Sequence, residues 1–268
     1  MTESELKLIC RKSCGIVKNV GNFLKRELGK VSAEAIETKS LNSLVSYVDK
    51  AAEEQLVEGL GALIPSATFL TEEETVEQKE GVFQWIIDPL DGTTNFLHQL
   101  PFFSISVALQ HHKKTVLGIV LEVNRDECFY AWKGGGAFLN DKKISVSDSK
   151  TLGDSLIATG FPYYDYDHSQ PFLQTLEFFM KNTRGIRRFG SAALDLVYVA
   201  CGRFDAFYEY SLNPWDVAGG AFIVEEAGGM VMDFKGEKDY LFGKEIIAVN
   251  PNIIDDFFKP VNAAFYPK

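Results

Sequence analysis

The stretch WIIDPLDGTTNF, residues 85–96, sets two carboxylates, Asp88 and Asp91, at the end of an apolar run. Trp85, Ile86 and Ile87 suit a covered strand, since aromatic and β-branched side chains pack well on a pleated surface. Two acids beside such a strand repel each other and lose hydration, so something must compensate. Behind them come Gly92, Thr93, Thr94 and Asn95, residue types that favour a turn and a helix start. Free N–H groups at such a start attract a phosphate. Divalent cations such as Mg²⁺ prefer oxygen ligands, and ions held between the two carboxylates and phosphate oxygens would relieve the repulsion.

Other acids sit in similar surroundings. Glu72, Glu73 and Glu74 follow the strand-like ATFL, Asp216 stands in NPWDVAGG directly before a helical pattern, and Asp49 lies in SLVSYVDK. Each has an ordinary reading when taken alone: a solvated run, a helix N-cap, a surface helix residue. Their weight comes from DPLDGTT, whose acid, turn and hydroxyl combination is hard to explain as solubility. The glycine run 134–136 lacks the Lys-Ser/Thr of a phosphate loop and lies between strands, so it reads as a hairpin turn. His98, His111, His112 and His168 show no metal-ligand spacing. The cysteines at 10, 14, 128 and 201 are too scattered for a disulfide framework, and Cys10 and Cys14 read as buried, inert thiols on one helix face.

The elements that must position these groups can be placed coarsely. Residues 3–28 follow helical spacing, and a second helix rich in Ala, Glu and Leu stops before Pro65. Residues 102–147 alternate with period two between turns, as in an antiparallel meander. Residues 152–234 mix strands with helices, among them SAALDLVYVACG and VAGGAFIVEEAGG, each closed by the glycine that favours a left-handed C-cap. The order predicts an α+β half, about 1–150, fused to an α/β half, about 151–268. Together they form one domain of two lobes with layered helices and sheets.

Composition bounds the partners. The 268 residues are 46% hydrophobic and 24% charged, an ordinary globular balance. Net charge is −10, from 27 basic and 37 acidic residues, which argues against direct nucleic-acid binding but not against phosphorylated small molecules. No apolar run is long enough to span a membrane. The first residues, MTESELKLICRKSC, carry charges throughout and are not expected to be a signal peptide, so a cytoplasmic location is expected.

WIIDPLDGTTNF, with LTEEE before it and NPWDVAGGAFIVEEAGG after it, resembles the inositol monophosphatase family of metal-dependent phosphatases. That superfamily includes the fructose-1,6-bisphosphatases. LVSYVD, GGGAFLNDKKISVS and RRFGSAALDLVYVACGRFDAFYEY fall in the family's order, so the likeness covers almost the whole chain. GFPYYDYDHSQ looks more like bacterial members.

The resemblance implies a Mg²⁺-dependent hydrolysis of inositol 1-phosphate or a similar phosphate monoester, with two to three ions and sensitivity to Li⁺. Glu72, Asp88 and the Leu90 carbonyl would bind one ion, Asp88, Asp91 and Asp216 a second, and a weaker third would share Glu72. Thr71 replaces the glycine of the family's GEE, which makes Glu73 a poorer ligand. Glu72 and Thr93, with Asp49 accepting the Thr93 hydroxyl proton, would orient the attacking water. Gly92 and Thr93 would present N–H groups to the phosphate. Gly190, Ser191 and Ala192 would line the ring, and Glu209 would take a ring hydroxyl. The Arg184, Arg187 and Arg188 cluster reads as a solvated strand end outside the site. A sugar bisphosphatase or dual-specificity phosphatase is the alternative within enzymes. Family members are commonly homodimers, and some bacterial members are partners of the transcription machinery, so RNA polymerase association stays open as a binding role.

Overall fold

The computed structural model describes residues 1–32, 37–40, 43–162 and 166–267, with the backbone alone for 37–40 and 43–45. In chain order the elements are α1 (Glu3–Glu27), β1 (Glu37–Ser40), β2 (Ser43–Val45), α2 (Tyr47–Leu63), β3 (Thr68–Thr71), β4 (Phe83–Asp91) and α3 (Thr93–Leu97). Then come β5 (Ser104–His111), β6 (Lys114–Glu122), β7 (Glu127–Trp132), β8 (Gly136–Leu139), β9 (Lys142–Ile144) and β10 (Leu156–Thr159). The chain continues through α4 (Ser169–Asn182), β11 (Gly185–Arg187), α5 (Ala192–Ala200), β12 (Ala206–Tyr210) and α6 (Pro214–Glu226). It ends with β13 (Met230–Met232), β14 (Glu245–Val249) and α7 (Ile254–Phe265).

Two larger sheets divide along the sequence. The first has the order β3-β4-β5-β6-β7-β8-β9, antiparallel except for the parallel pair β3–β4. The second has the order β11-β10-β12-β14-β13, with parallel pairing up to β12 and antiparallel pairing beyond it. The expected meander is β5 to β9. The expected mixture of strands and helices is the second sheet with its helices.

Alternation along the strands explains the layering. Trp85 and Ile87 of β4 join Val107, Leu109, Ile119 and Leu121 in a core shared with Val17, Leu24, Leu56 and Leu60 of α1 and α2. The opposite face of the same sheet meets α5 and α6, whose other side packs on Phe207 of β12 and Ile246 of β14. A helix pair covered by sheets on both sides must be apolar all round, and every residue of α5 except Asp195 is apolar or the buried Tyr198. Beyond the second sheet, Phe172 and Phe179 of α4 and Phe257 and Val261 of α7 pack on Tyr208 and Tyr210. The result is helix, sheet, helix, sheet, helix.

The α6 helix lies close on the first sheet because glycines face each other there. A Cβ added at Gly118 of β6 would come within 2.5 Å of the Gly219 carbonyl oxygen, and one added at Gly219 within 3.0 Å of the Val107 carbonyl oxygen. Ordinary side chains do not fit so near a backbone. This approach brings the N-terminus of α6 to the end of β4.

Candidate active site

Asp88 and Asp91 are three residues apart, which in an unbroken strand would put them on opposite faces. A bulge prevents this. Asp88 pairs with Ser106 and Asp91 with Ser104, so three steps on β4 match two on β5. One extra residue returns both acids to the same face, toward α5 and α6. Pro89 sits inside the bulge, where the absence of its N–H removes nothing from the ladder. Gly92 then turns the chain at φ 97°, and a Cβ there would press on the Phe102 and Gly190 carbonyl oxygens.

Each carboxylate is held by one oxygen. Asp88 Oδ1 accepts the Leu90 N–H at 2.9 Å, and Asp216 Oδ2 accepts the Asn213 N–H at 2.7 Å in a capping box at the start of α6. Asp91 Oδ2 accepts the Ser191 hydroxyl at 2.6 Å and the Ala193 N–H at 2.7 Å, which caps α5. Fixing one oxygen of each also fixes the direction of the other. Ser104 Oγ lies 3.1 Å from Ser191 Oγ, and the Ser106 hydroxyl donates to the Trp215 carbonyl at 3.1 Å, so β5 ties both helix starts to the bulged strand.

Asp49 is buried, contrary to its ordinary reading as a surface residue. It caps α2, with Oδ2 accepting the Ser46 N–H and hydroxyl at 2.8 Å each, while Oδ1 stands 3.1 Å from the Thr93 hydroxyl. The Leu90 carbonyl lies 3.0 Å from the same hydroxyl. One hydroxyl proton serves one acceptor at a time.

The electrostatics fit a cation site. Burial, then the charges of Glu72, Asp91 and Asp216, pushes the Asp88 carboxyl well above its usual range. Burial, then Asp91 and Glu72, does the same to Asp216. Asp91 is pushed up to about 6 by burial, against the opposing bonds from Ser191 and Ala193. Three aspartates pushed up by burial and by the charge of Glu72 beside them suit a hard divalent ion. Among the described residues no three His, Cys, Asp or Glu side chains stand as a formed metal group.

Glu72, Asp88, Leu90, Asp91, Gly92, Thr93, Gly190, Ser191, Ala192, Glu209 and Asp216 all line one pocket. Asp49 stands behind Thr93. Glu209 is buried, not the surface acid its neighbours in sequence allowed, and burial pushes its carboxyl up to about 8.

Three features were not legible in the motifs. Arg188 lines the pocket, with its guanidinium 5.2 Å from the ring centre of Phe161. This corrects the reading of the arginine cluster as wholly outside the site, although Arg184 does pair outside it, with Asp154 at 2.8 Å. Glu53 is fully buried and accepts from the Thr71 hydroxyl, the Glu73 N–H and the Thr75 N–H and hydroxyl at 2.7–2.8 Å. It thus shapes the turn that carries Glu72, and Thr71 supplies one of its donors. Asp195 is buried where the charges of the pocket residues Glu209, Asp91 and Arg188 act on it. Of GFPYYDYDHSQ, Gly160, Phe161 and Pro162 line the pocket, and 163–165 lie outside the described residues.

The remaining candidates have structural uses. The turn at 134–136 joins β7 to β8, and the Gly134 and Gly136 N–H groups each donate to the Glu226 carboxylate at 3.0 Å. Cys10 is buried and Cys14 half-buried. The Cys14 thiol is pushed up by its contact with Cys10 and by burial, which suppresses the reactive thiolate. No helix of the described residues is long and apolar enough to cross a membrane.

The chain is similar to known proteins along almost its whole length. The model of the inositol monophosphatase family matches residues 6–262. The inositol-1-monophosphatase of Mesorhizobium japonicum is 40% identical over 242 residues, covering 90% of this chain and 91% of the relative. The putative Nus factor SuhB of Neisseria meningitidis serogroup B is 42% identical over 247 residues, covering 92% and 95%. The solved IMPase of Thermotoga maritima superposes with a TM-score of 0.86 at 37% identity, over 94% of this chain and 96% of that one.

Proposed function

Because the chain belongs to the inositol monophosphatase family, we propose that it is a Mg²⁺-dependent phosphatase acting on inositol 1-phosphate or a closely similar polyol phosphate. The observation that carries this reading is the bulge that turns Asp88 and Asp91 to one face, opposite Asp216 at the start of α6. Glu72, Asp88 and the Leu90 carbonyl are the residues to hold one ion. Asp88, Asp91 and Asp216 are those for a second, and Glu72 is shared with a weaker third. When bound, Mg²⁺ supplies the Lewis acidity that activates water near neutral pH and the charge that neutralises phosphate.

The chain's own groups do the rest. Thr93 donates its proton to Asp49, which frees the Leu90 carbonyl and leaves the Thr93 oxygen to accept from the attacking water. Glu72 accepts from the same water and fixes its line of approach. The Gly92 and Thr93 N–H groups receive phosphate oxygens as charge builds on them. Gly190, Ser191, Ala192 and Glu209 meet the ring, with Glu209 accepting a hydroxyl. Five acids, one hydroxyl and a turn suffice without a His or Cys nucleophile.

Phosphate release from inositol 1-phosphate, fructose 1,6-bisphosphate and 3′-phosphoadenosine 5′-phosphate, with and without EDTA, tests the reading. Metal-dependent preference for inositol 1-phosphate is expected; preference for fructose 1,6-bisphosphate would favour the sugar-bisphosphatase alternative. Relatives named as Nus factors favour a second reading, association with the transcription machinery. Capture of RNA polymerase on the tagged protein, compared with a catalytically silenced variant, separates binding from hydrolysis.

A further inference from the structure

Asp195 lies in the first turn of α5, with its N–H bonded to the Ser191 carbonyl at 3.0 Å. Its side chain is buried, and neither carboxylate oxygen has a hydrogen-bond partner. A buried acid left in this state is among the costliest things a core can hold. Helix packing does not require it, because the other residues of α5 are apolar or aromatic and a small apolar residue would serve. The charges that act on it belong to the pocket wall: Glu209 and Asp91 disfavour its ionised form, and Arg188 favours it. Among the described residues lining the pocket, Arg188 is the one with a basic side chain. Its guanidinium lies over Phe161, which is 45% exposed and so belongs to the pocket's rim. One cation therefore stands near the rim, and one acceptor without a donor stands behind the wall.

We propose that Asp195 is a positioning residue for the substrate end of the pocket, the interior acceptor that draws the Arg188 guanidinium off Phe161 and sets it beside Glu209 against the ring oxygens of the substrate. The proposal rests on the phosphatase reading above. Asp195 touches no substrate and acts through Arg188, whose planar fork of donors can serve a carboxylate and a substrate oxygen together. The acid is tolerated in the core because its partner arrives with the substrate. A residue kept for packing would, on replacement, lose stability. One kept for this task gains stability and loses substrate affinity.

The test uses the full-length wild type, Asp195→Asn, Arg188→Gln and the double variant, all assayed on inositol 1-phosphate in Mg²⁺ and melted without substrate. Asp195→Asn should raise KM about tenfold, leave kcat within about twofold, and raise Tm by about 2 °C. Arg188→Gln should raise KM similarly, and the double variant no further than the larger single change, because the two residues act as one unit. Effects on KM that multiply, or an Asp195→Asn protein with lower Tm and unchanged KM, would overturn the proposal while leaving the phosphatase reading intact. A wild type that releases phosphate from no substrate, with or without Mg²⁺, overturns both.

Discussion

Asp91 accepts the backbone N–H of Ala193 at 2.7 Å, a bond between residues 102 positions apart in the chain. Through it the end of β4, in the first sheet, caps the first turn of α5 in the layer between the sheets. The carboxylate that is the candidate ligand is therefore also a structural cap, and segment 190–192 of the pocket wall, proposed to meet the ring, is placed by the acid proposed to hold the cation. Chemistry and architecture share one side chain.

Replacing Asp91 with Asn separates the two duties. The amide oxygen can still accept from Ala193, so the circular dichroism spectrum should match that of the wild type. Turnover should fall by more than about a hundredfold, because a neutral amide cannot neutralise the ions. Near-normal phosphate release would remove Asp91 from the ligand set.

Metal should act as a ligand of the folded state alone. At a hundredfold excess over Kd, Mg²⁺ contributes about 2.7 kcal/mol to stability, which corresponds to roughly 5–10 °C in Tm for a chain of this size. Asp216→Asn should lose most of that rise. EDTA should abolish turnover, and millimolar Li⁺ should inhibit it. Melting curves with and without Mg²⁺ check the first two statements, and an equal shift in both proteins would contradict them.

Glu53 should be sensitive for stability and catalysis together. Glu53→Ala strands the donors of Thr71, Glu73 and Thr75 in a buried turn, at a cost of about 3 kcal/mol. Because that turn carries Glu72, kcat should fall as well, even at temperatures where the variant is fully folded. Chemical denaturation and rate measurements on the same preparation decide the point. Full activity in a destabilised protein would mean that Glu72 does not depend on its neighbour.

Stability of the metal-free protein should fall with rising pH. Burial, with repulsion from Asp91, pushes the Glu209 carboxyl up to about 8 from an ordinary 4.5, and Arg188 opposes the shift. The native state then holds a proton that the unfolded chain has released. Its contribution is complete below 4.5 and disappears as pH rises through about 8. Asp91, pushed up to about 6, acts in the same direction. Melting in EDTA from pH 5 to 8.5 should show the decline, and Glu209→Gln should flatten its upper half. An unchanged slope in that variant would assign the proton elsewhere.

The legible parts of the molecule were those encoded within one window of sequence. The α1 and α2 helices, the meander, the glycine-closed α5 and α6 and the DPLDGTT turn follow from periodicity and turn chemistry. The α4 and α7 helices went unread, since SQPFLQTLEFFMKN and IDDFFKPVNAAF show their apolar faces only against the second sheet. The bulge was not legible either: Pro89 marks a break in the strand, but the pairing with Ser104 and Ser106 depends on a partner strand. Glu53, Arg188 and Asp195 look like any surface charge in sequence. Their meaning lies in what burial puts beside them, and no local pattern records that. For the same reason Asp49 and Glu209 have solvated readings in sequence that their burial removes.

The close approach of Gly118 and Gly219 reaches further than packing. Asp216 rides on α6 less than one turn before Gly219, while Asp88 rides on a strand that α6 lies across. The distance between helix and sheet is thus a caliper setting, and the acids are its jaws. A single methyl at either glycine would act as a shim and widen the gap between Asp88 and Asp216 without touching ion, water or phosphate. The spacing of these two candidate ligands is set by two residues that have no side chain.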